Sequence, residues 1–181
     1  MKALAEALRL HPQFAARLDD HTISMLFKSA PLHDIGKVGI PDRILLKPGR
    51  YEPEEFAIMK RHPTLGLQAI EHAEQSLGMS VEFLQMAKEI AYGHHEKWDG
   101  SGYMEGLAGE AIPLSGRLMA LADVYDALIC ARQYKPAFPH AKVREIILKG
   151  RGTHFDPAVV DAFLSIFDVI RAIREKYRDA G

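Results

Sequence analysis

Cysteine is almost absent from this 181-residue chain. Cys130 stands alone, so no internal disulfide can form, and a zinc site built from several thiolates is excluded. A reducing compartment suits such a chain, and the expectation is a cytoplasmic one. Charge of one sign is lacking too. Lys and Arg number 23 against 24 Asp and Glu, a formal net charge of -1, which provides no cationic field for tracking a nucleic-acid backbone or an anionic membrane. Neither DNA nor membrane is expected as a partner. No uninterrupted apolar run approaches the roughly 18 to 20 residues that a membrane helix needs, and no apolar segment with a cleavage site opens the chain, which therefore reads as soluble and untargeted. Strand-like alternation bounded by turn residues is nearly missing as well.

What is present is helical periodicity. A chain 48% hydrophobic and 26% charged suits one domain with a sizeable core, and the apolar positions recur at three- and four-residue steps, so the predicted class is all-α. Phe14 to Leu32 repeats its apolar positions through Leu18, Ile23, Leu26, Phe27 and Ala30, which predicts a helix ending by Gly36. Val38 to Arg50 reads as a loop with one short helical turn, punctuated by Pro41 and by Pro48-Gly49. Pro53-Glu54-Glu55 is a helix first turn. That helix runs toward His62, where Pro63 breaks or kinks it, and a continuation reaches about Leu77 before Gly78. A further helix spans Val81 to about His95 and leads into the glycine-rich loop Asp99 to Tyr103. Leu114 to Ala131 is the most apolar helix and is expected at the centre. Asp156-Pro157 caps the last one, which frays into the charged tail from Arg171 to Asp179. No repeat, low-complexity stretch or linker divides the chain, so one domain over 1–181 is expected.

Nine histidines are the unusual feature, and three clusters hold the chemistry: His33-Asp34 followed by Gly36-Lys37, then His94-His95, then Asp123 with Asp126 in the most apolar helix. Helical neighbours diverge by about 100°, so His33 and Asp34 cannot chelate one ion as an i, i+4 pair does, but the two oxygens of Asp34 could bridge two ions. A carboxylate at Asp123, expected to be buried among Leu121, Ala122 and Val124, is costly unless a cation or hydrogen bonds compensate it. Mixed imidazole and carboxylate ligands favour Mn, Fe, Co, Ni or Zn over Ca or Mg, and paired metals are a recurrent device for phosphoester hydrolysis. Each cluster also has a structural reading. His33-Asp34 can be a helix end, His94-His95 can complement a helix dipole, and Asp123-Asp126 can join a core network with Tyr125 or Arg117. His62, before a proline at a kink, stays undecided on its own, and His11, His21, His72, His140 and His154 read as ordinary polar or turn residues.

The strings narrow these alternatives. His33-Asp34-Ile35-Gly36-Lys37, Ile40-Pro41-Asp42, Leu46-Lys47-Pro48-Gly49, the run from His94 to Tyr103, Ile112-Pro113-Leu114-Ser115, Ala122 to Leu128, Arg132 to Lys135 and Gly152 to Pro157 resemble, in order, the blocks of the HD-GYP family. The resemblance covers about Leu32 to Leu164. It implies an HD-domain helical bundle with two or three divalent transition metals, Fe or Mn above all, hydrolysing the bacterial messenger cyclic di-GMP to the linear dinucleotide or GMP. It further implies metal ligation by His33, Asp34, His62, His94, His95 and Asp123, with Asp34 bridging and catalytic. Lys37 would contact the scissile phosphate, while Arg132 and Lys135 hold substrate phosphates or a guanine edge. The loop carrying Gly102 and Tyr103 would approach the substrate or a diguanylate-cyclase domain closely.

Two departures accompany the match. Met104 stands where the family's name motif has proline, which adds a backbone N–H. The family also places one more metal-binding His, with a Glu in some members, about thirty residues before its His-Asp pair, and that register falls at or before residue 1 here. The chain is therefore expected either to be a fragment lacking the first helix or to be a shortened member. The competing expectations are a catalytically impaired module that binds a cyclic dinucleotide or a cyclase partner, and a hydrolase of another nucleotide.

Overall fold

The computed structural model describes residues 1–78, 81–130 and 137–178, with side chains through 176, and among them the regular structure is helical, joined by loops that hold two isolated bridges, Asp99 with Ala108 and Arg151 with Phe155. In chain order the helices are α1 (Lys2–Arg9), α2 (Pro12–Ala15), α3 (Asp20–Ser29), α4 (Asp42–Leu45), α5 (Pro53–Met59), α6 (His62–Leu77), α7 (Glu82–Gly93), α8 (Leu114–Ile129), α9 (His140–Lys149), α10 (Pro157–Ser165) and α11 (Phe167–Arg178). Short 3-10 turns at Ala30–Leu32 and Ile35–Gly39 bracket the His33-Asp34 pair. The all-α expectation holds.

The most apolar helix is central, as its composition predicts. Leu118, Leu121, Tyr125 and Ile129 of α8 are buried in one cluster with Leu4 and Leu8 of α1, Leu26 of α3, Ile90 of α7, Val143 and Ile147 of α9, and Val159 and Phe163 of α10. Each such side chain contributes roughly 1.5–3 kcal/mol on leaving water. A smaller cluster of Ile40, Ile44 and Met59, with Leu65 against it, ties the excursion from residue 40 to α5 onto α6.

Several boundaries differ from expectation. Phe14 to Leu32 is not one helix, because the Thr22 N–H donates to the Asp19 carboxylate at 2.7 Å and starts α3 afresh after α2. The predicted last helix is two, since Ile166 leaves helical geometry between α10 and α11. Helix α8 stops at Ile129, with Cys130 extended. α1 and α9 were not anticipated, although Leu4, Ala5 and Leu8 in the first, and Val143 and Ile147 in the second, supply the inward spacing.

One contact sets the register of the site. A Cβ on Gly36 would lie 2.0 Å from the His62 carbonyl oxygen and 2.3 Å from the Gly66 nitrogen, so the 3-10 turn after Asp34 rests backbone to backbone on the first turn of α6. Only glycine permits that approach.

Candidate metal centre

Six of the side chains singled out in the sequence converge from four parts of the fold. His33 and Asp34 come from the step between the two 3-10 turns, His62 from the start of α6, His94 and His95 from the end of α7, and Asp123 from α8. The Nε2 atom of His62 lies 3.5 Å from that of His94 and 3.2 Å from that of His95. Asp34 faces both halves of the cluster. Its Oδ1 is 3.3 Å from His62 Nε2 and 3.9 Å from His94 Nε2, while its Oδ2 is 3.3 Å from His33 Nε2. Asp123 Oδ1 lies 3.7 Å from His33 Nε2 on the far side. The helical-neighbour argument for His33 and Asp34 is corrected here. Asp34 sits at φ -103, ψ 10, outside any helix, and the two side chains turn toward one point. Asp123 is not the buried carboxylate expected, since its side chain is 29% exposed.

Tautomers follow from the carbonyls behind the rings. His62 Nδ1–H donates to the Met59 carbonyl at 2.8 Å, His94 Nδ1–H to those of Ile90 and Ala91 at 3.0 Å, and His33 Nδ1–H to that of Ala30 at 2.9 Å. In the neutral rings of His62 and His94 this leaves each Nε2 as a lone pair. Burial lowers the pKa of His62, takes His94 to about 4 with help from the charge on His33, and takes His95 to about 3 with help from His94 and His62. The Nε2 acceptors of His62 and His94 thus face each other at 3.5 Å, with the His95 ring nitrogen beside them. That is a site for a cation, and the nitrogens of His62, His94 and His95 all lie within 4.8 Å of one another. The carboxylate half behaves oppositely. Burial opposes charge on His33, but Asp123 and Asp34 outweigh it and raise its pKa to about 10. Burial likewise opposes ionisation of Asp34, and His33 and Lys37 outweigh it, holding that carboxyl well below the usual range. The three imidazoles on one side of Asp34 are a set that fits a divalent metal.

A model of the HD domain family matches residues 5–159. The chain belongs to the HD domain family. Its sequence blocks are those of the HD-GYP branch. This HD domain is 61% identical over 181 residues to a cyclic di-GMP phosphodiesterase of Vibrio cholerae, a match that takes in all of this chain and 37% of that protein. It is 47% identical over 157 residues to a cyclic di-GMP phosphodiesterase of Thermotoga maritima, covering 84% of this chain and 40% of the relative. It is 43% identical over 162 residues to the 3'3'-cGAMP-specific phosphodiesterase 2 of Vibrio cholerae, covering 90% and 30% respectively. The chain therefore spans well under half the length of these relatives. HD domains bind divalent metals, and the histidine cluster of this one can hold such an ion.

The remaining residues of interest in this HD domain fall as follows. The Lys37 ammonium contacts the Asp34 carboxylate directly. Arg132 and Lys135 lie outside the described residues. Gly102 approaches the chain's own backbone, because a Cβ there would be 2.4 Å from Lys97 N, and this seats Tyr103 with its ring stacked on His95 at 4.8 Å. Glu96 had not been singled out. Its buried carboxylate accepts from the N–H groups of Glu105 at 2.7 Å and Gly106 at 3.2 Å, closing the loop that Gly102 begins. The only sequence signal for it was its place in the string after His95. No helix is long and apolar enough to cross a membrane among the described residues.

Proposed function

We propose that this chain is the hydrolytic domain of a metal-dependent phosphodiesterase that opens cyclic di-GMP to the linear dinucleotide and, with a second cleavage, yields GMP. The observation that carries the reading is the convergence of His33, Asp34, His62, His94, His95 and Asp123 in an HD domain whose relatives are named cyclic dinucleotide phosphodiesterases. We assign those six as ligands of two divalent ions, Mn or Fe, with Asp34 shared. His62, His94 and His95 hold one position, and His33 and Asp123 flank the other. The motif-bearing stretch 32–164 carries all six.

Divalent cations bound there supply Lewis acidity toward a phosphate oxygen and toward water. Asp34 accepts a hydrogen bond from the attacking water and aligns it with the scissile bond. The water oxygen bonds to phosphorus as it gives up a proton, the phosphorus–oxygen bond to ribose breaks, the ribose oxygen takes up a proton in its place, and the ring opens. Lys37, on the exposed side of Asp34, offsets the charge of the phosphate. Arg132 and Lys135 grip the second phosphate or a guanine edge, and Gly102 and Tyr103 form the rim against which the nucleotide lies. The same rim is the surface we assign to a diguanylate-cyclase partner.

Chromatography of cyclic di-GMP incubated with the protein and Mn or Fe tests the reading, with Asp34→Ala as the control. Nucleotide binding without hydrolysis at any metal loading would overturn it in favour of a binding module. The identity to a 3'3'-cGAMP-specific enzyme favours that dinucleotide as a second substrate, and a parallel assay ranks the two.

A further inference from the structure

Of the four histidines in the centre, three are fixed by a backbone carbonyl at Nδ1, and His95 is the exception. Among the described residues its polar contact is the His62 ring nitrogen at 3.2 Å, which a shared cation would separate. What lies against His95 instead is an aromatic face. Tyr103 stacks on it with ring centroids 4.8 Å apart and an interplanar angle of 22°. Tyr103 is itself held on two sides. Its N–H donates to the His95 carbonyl at 3.2 Å, and Gly102 rests on the Lys97 backbone. Beyond it, the Lys60 ammonium lies 5.7 Å from the Tyr103 centroid and 5.1 Å from that of Phe56.

We infer that Tyr103 is a positioning residue for the metal centre: its ring sets the orientation of His95 in place of the missing carbonyl, with Lys60 and Phe56 backing the stack from α5. An imidazole with no hydrogen bond at Nδ1 is free to rotate, and rotation withdraws Nε2 from the cluster. A parallel ring removes the rotation, and the cation over its outer face holds the ring in turn. The loop bearing Gly102 and Tyr103 thereby acts on the metal as well as on whatever docks at the rim. The inference rests on the reading of His95 as a ligand.

The test is Mn2+ binding by calorimetry, together with the His95 imidazole signals by nitrogen-resolved NMR in the metal-free protein. Tyr103→Phe keeps the ring and is expected to keep both the affinity and the His95 ring signals. Tyr103→Leu is expected to weaken Mn2+ binding roughly ten- to hundred-fold and to average the His95 ring signals, with the helical circular dichroism retained. Equal affinity and unchanged ring signals in Tyr103→Leu would overturn the inference while leaving the metal site standing. Should that variant fail to fold, the unmodified protein decides, since absence of a Tyr103 ring-current shift on the His95 ring protons would equally overturn it. No Mn2+ binding by the unmodified chain would sink the metal reading and this inference with it.

Discussion

Helix α8 carries two polar clusters, and they are built on opposite principles. Near its start, Arg117 donates to Asp156 at 2.8 Å with both side chains almost wholly buried, the guanidinium packs 5.9 Å from the Trp98 ring centre, and Asp156 also accepts from the Ala158 N–H to cap α10. Each charge there has its counter-charge within the chain. Two turns on, Asp123 faces the His33 ring at 3.7 Å in a cluster where the Nε2 atoms of His62 and His94 face each other as acceptors, so compensation for that histidine half must come from outside. A self-satisfied ion pair is what a core tolerates for structure. An unsatisfied set of donors of lone pairs is what a core retains for a ligand.

Five measurements break or sharpen that contrast. The largest effect is expected from Asp34→Ala, which removes the one group shared by both halves. Cyclic di-GMP turnover should fall by more than the roughly 10- to 100-fold that loss of an outer partner of a metal ligand costs, with the helical fold retained. Undiminished turnover would strip Asp34 of its role. On the structural side, Arg117→Leu should cost about 3–5 kcal/mol in urea unfolding, because it strands Asp156 buried and unpaired. The double variant Arg117→Leu with Asp156→Leu should regain much of that, short of the roughly 1 kcal/mol of the lost cap. Mn2+ affinity should be unchanged in both, and a large change would show that the two clusters are coupled.

Next in size, Mn2+ at about 100 times its dissociation constant should stabilise the protein by roughly 2.7 kcal/mol, EDTA should reverse the gain, and His62→Ala should abolish it. A titration should resolve two classes of site, the three-histidine position filling first and the His33-Asp123 position, with fewer nitrogen donors, filling at higher concentration. Two equally tight ions after exhaustive dialysis would contradict that ranking. The smallest effect belongs to an exposed pair far from both clusters. His21 donates to Glu82 at 2.8 Å, which raises its pKa above 6.5. Its slight stabilisation is present below that value and fades as pH rises through the raised one, so an NMR titration of His21 should give a midpoint above 6.5 that Glu82→Gln returns to the ordinary value.

The elements were legible where a single residue type forces a boundary. The Pro53-Glu54-Glu55 start, the Gly78 stop and the Asp156 cap all stand where the sequence puts them, because each acts through its own backbone or nearest neighbours. The centre was legible only in part. His33-Asp34 and His94-His95 drew notice as pairs, whereas the role of His62 depends on a carbonyl behind it and on Gly36 in front of it, both set by tertiary contact. The exposure of Asp123 was misjudged for a related reason: apolar neighbours along a helix describe its other faces, and the face toward α7 opens onto the cluster. Glu96 is the clearest case of what spacing cannot reveal, since a loop carboxylate that ties backbone N–H groups has no periodicity.

The seat of Gly36 on α6 has a consequence for how this fold can vary. Because the distance between Asp34 and His62 is fixed by two backbones in direct touch, it does not depend on the 25 residues, 37–61, that run from Gly36 to His62 through α4 and α5. That excursion can lengthen, shorten or acquire a new surface, and the approach of Asp34 to His62 stays as it was. A one-residue shift of the chain across the glycine, by contrast, would move both halves of the centre apart at once. The spacing of the cluster is thus written in a joint, and the loop above it is left open to change.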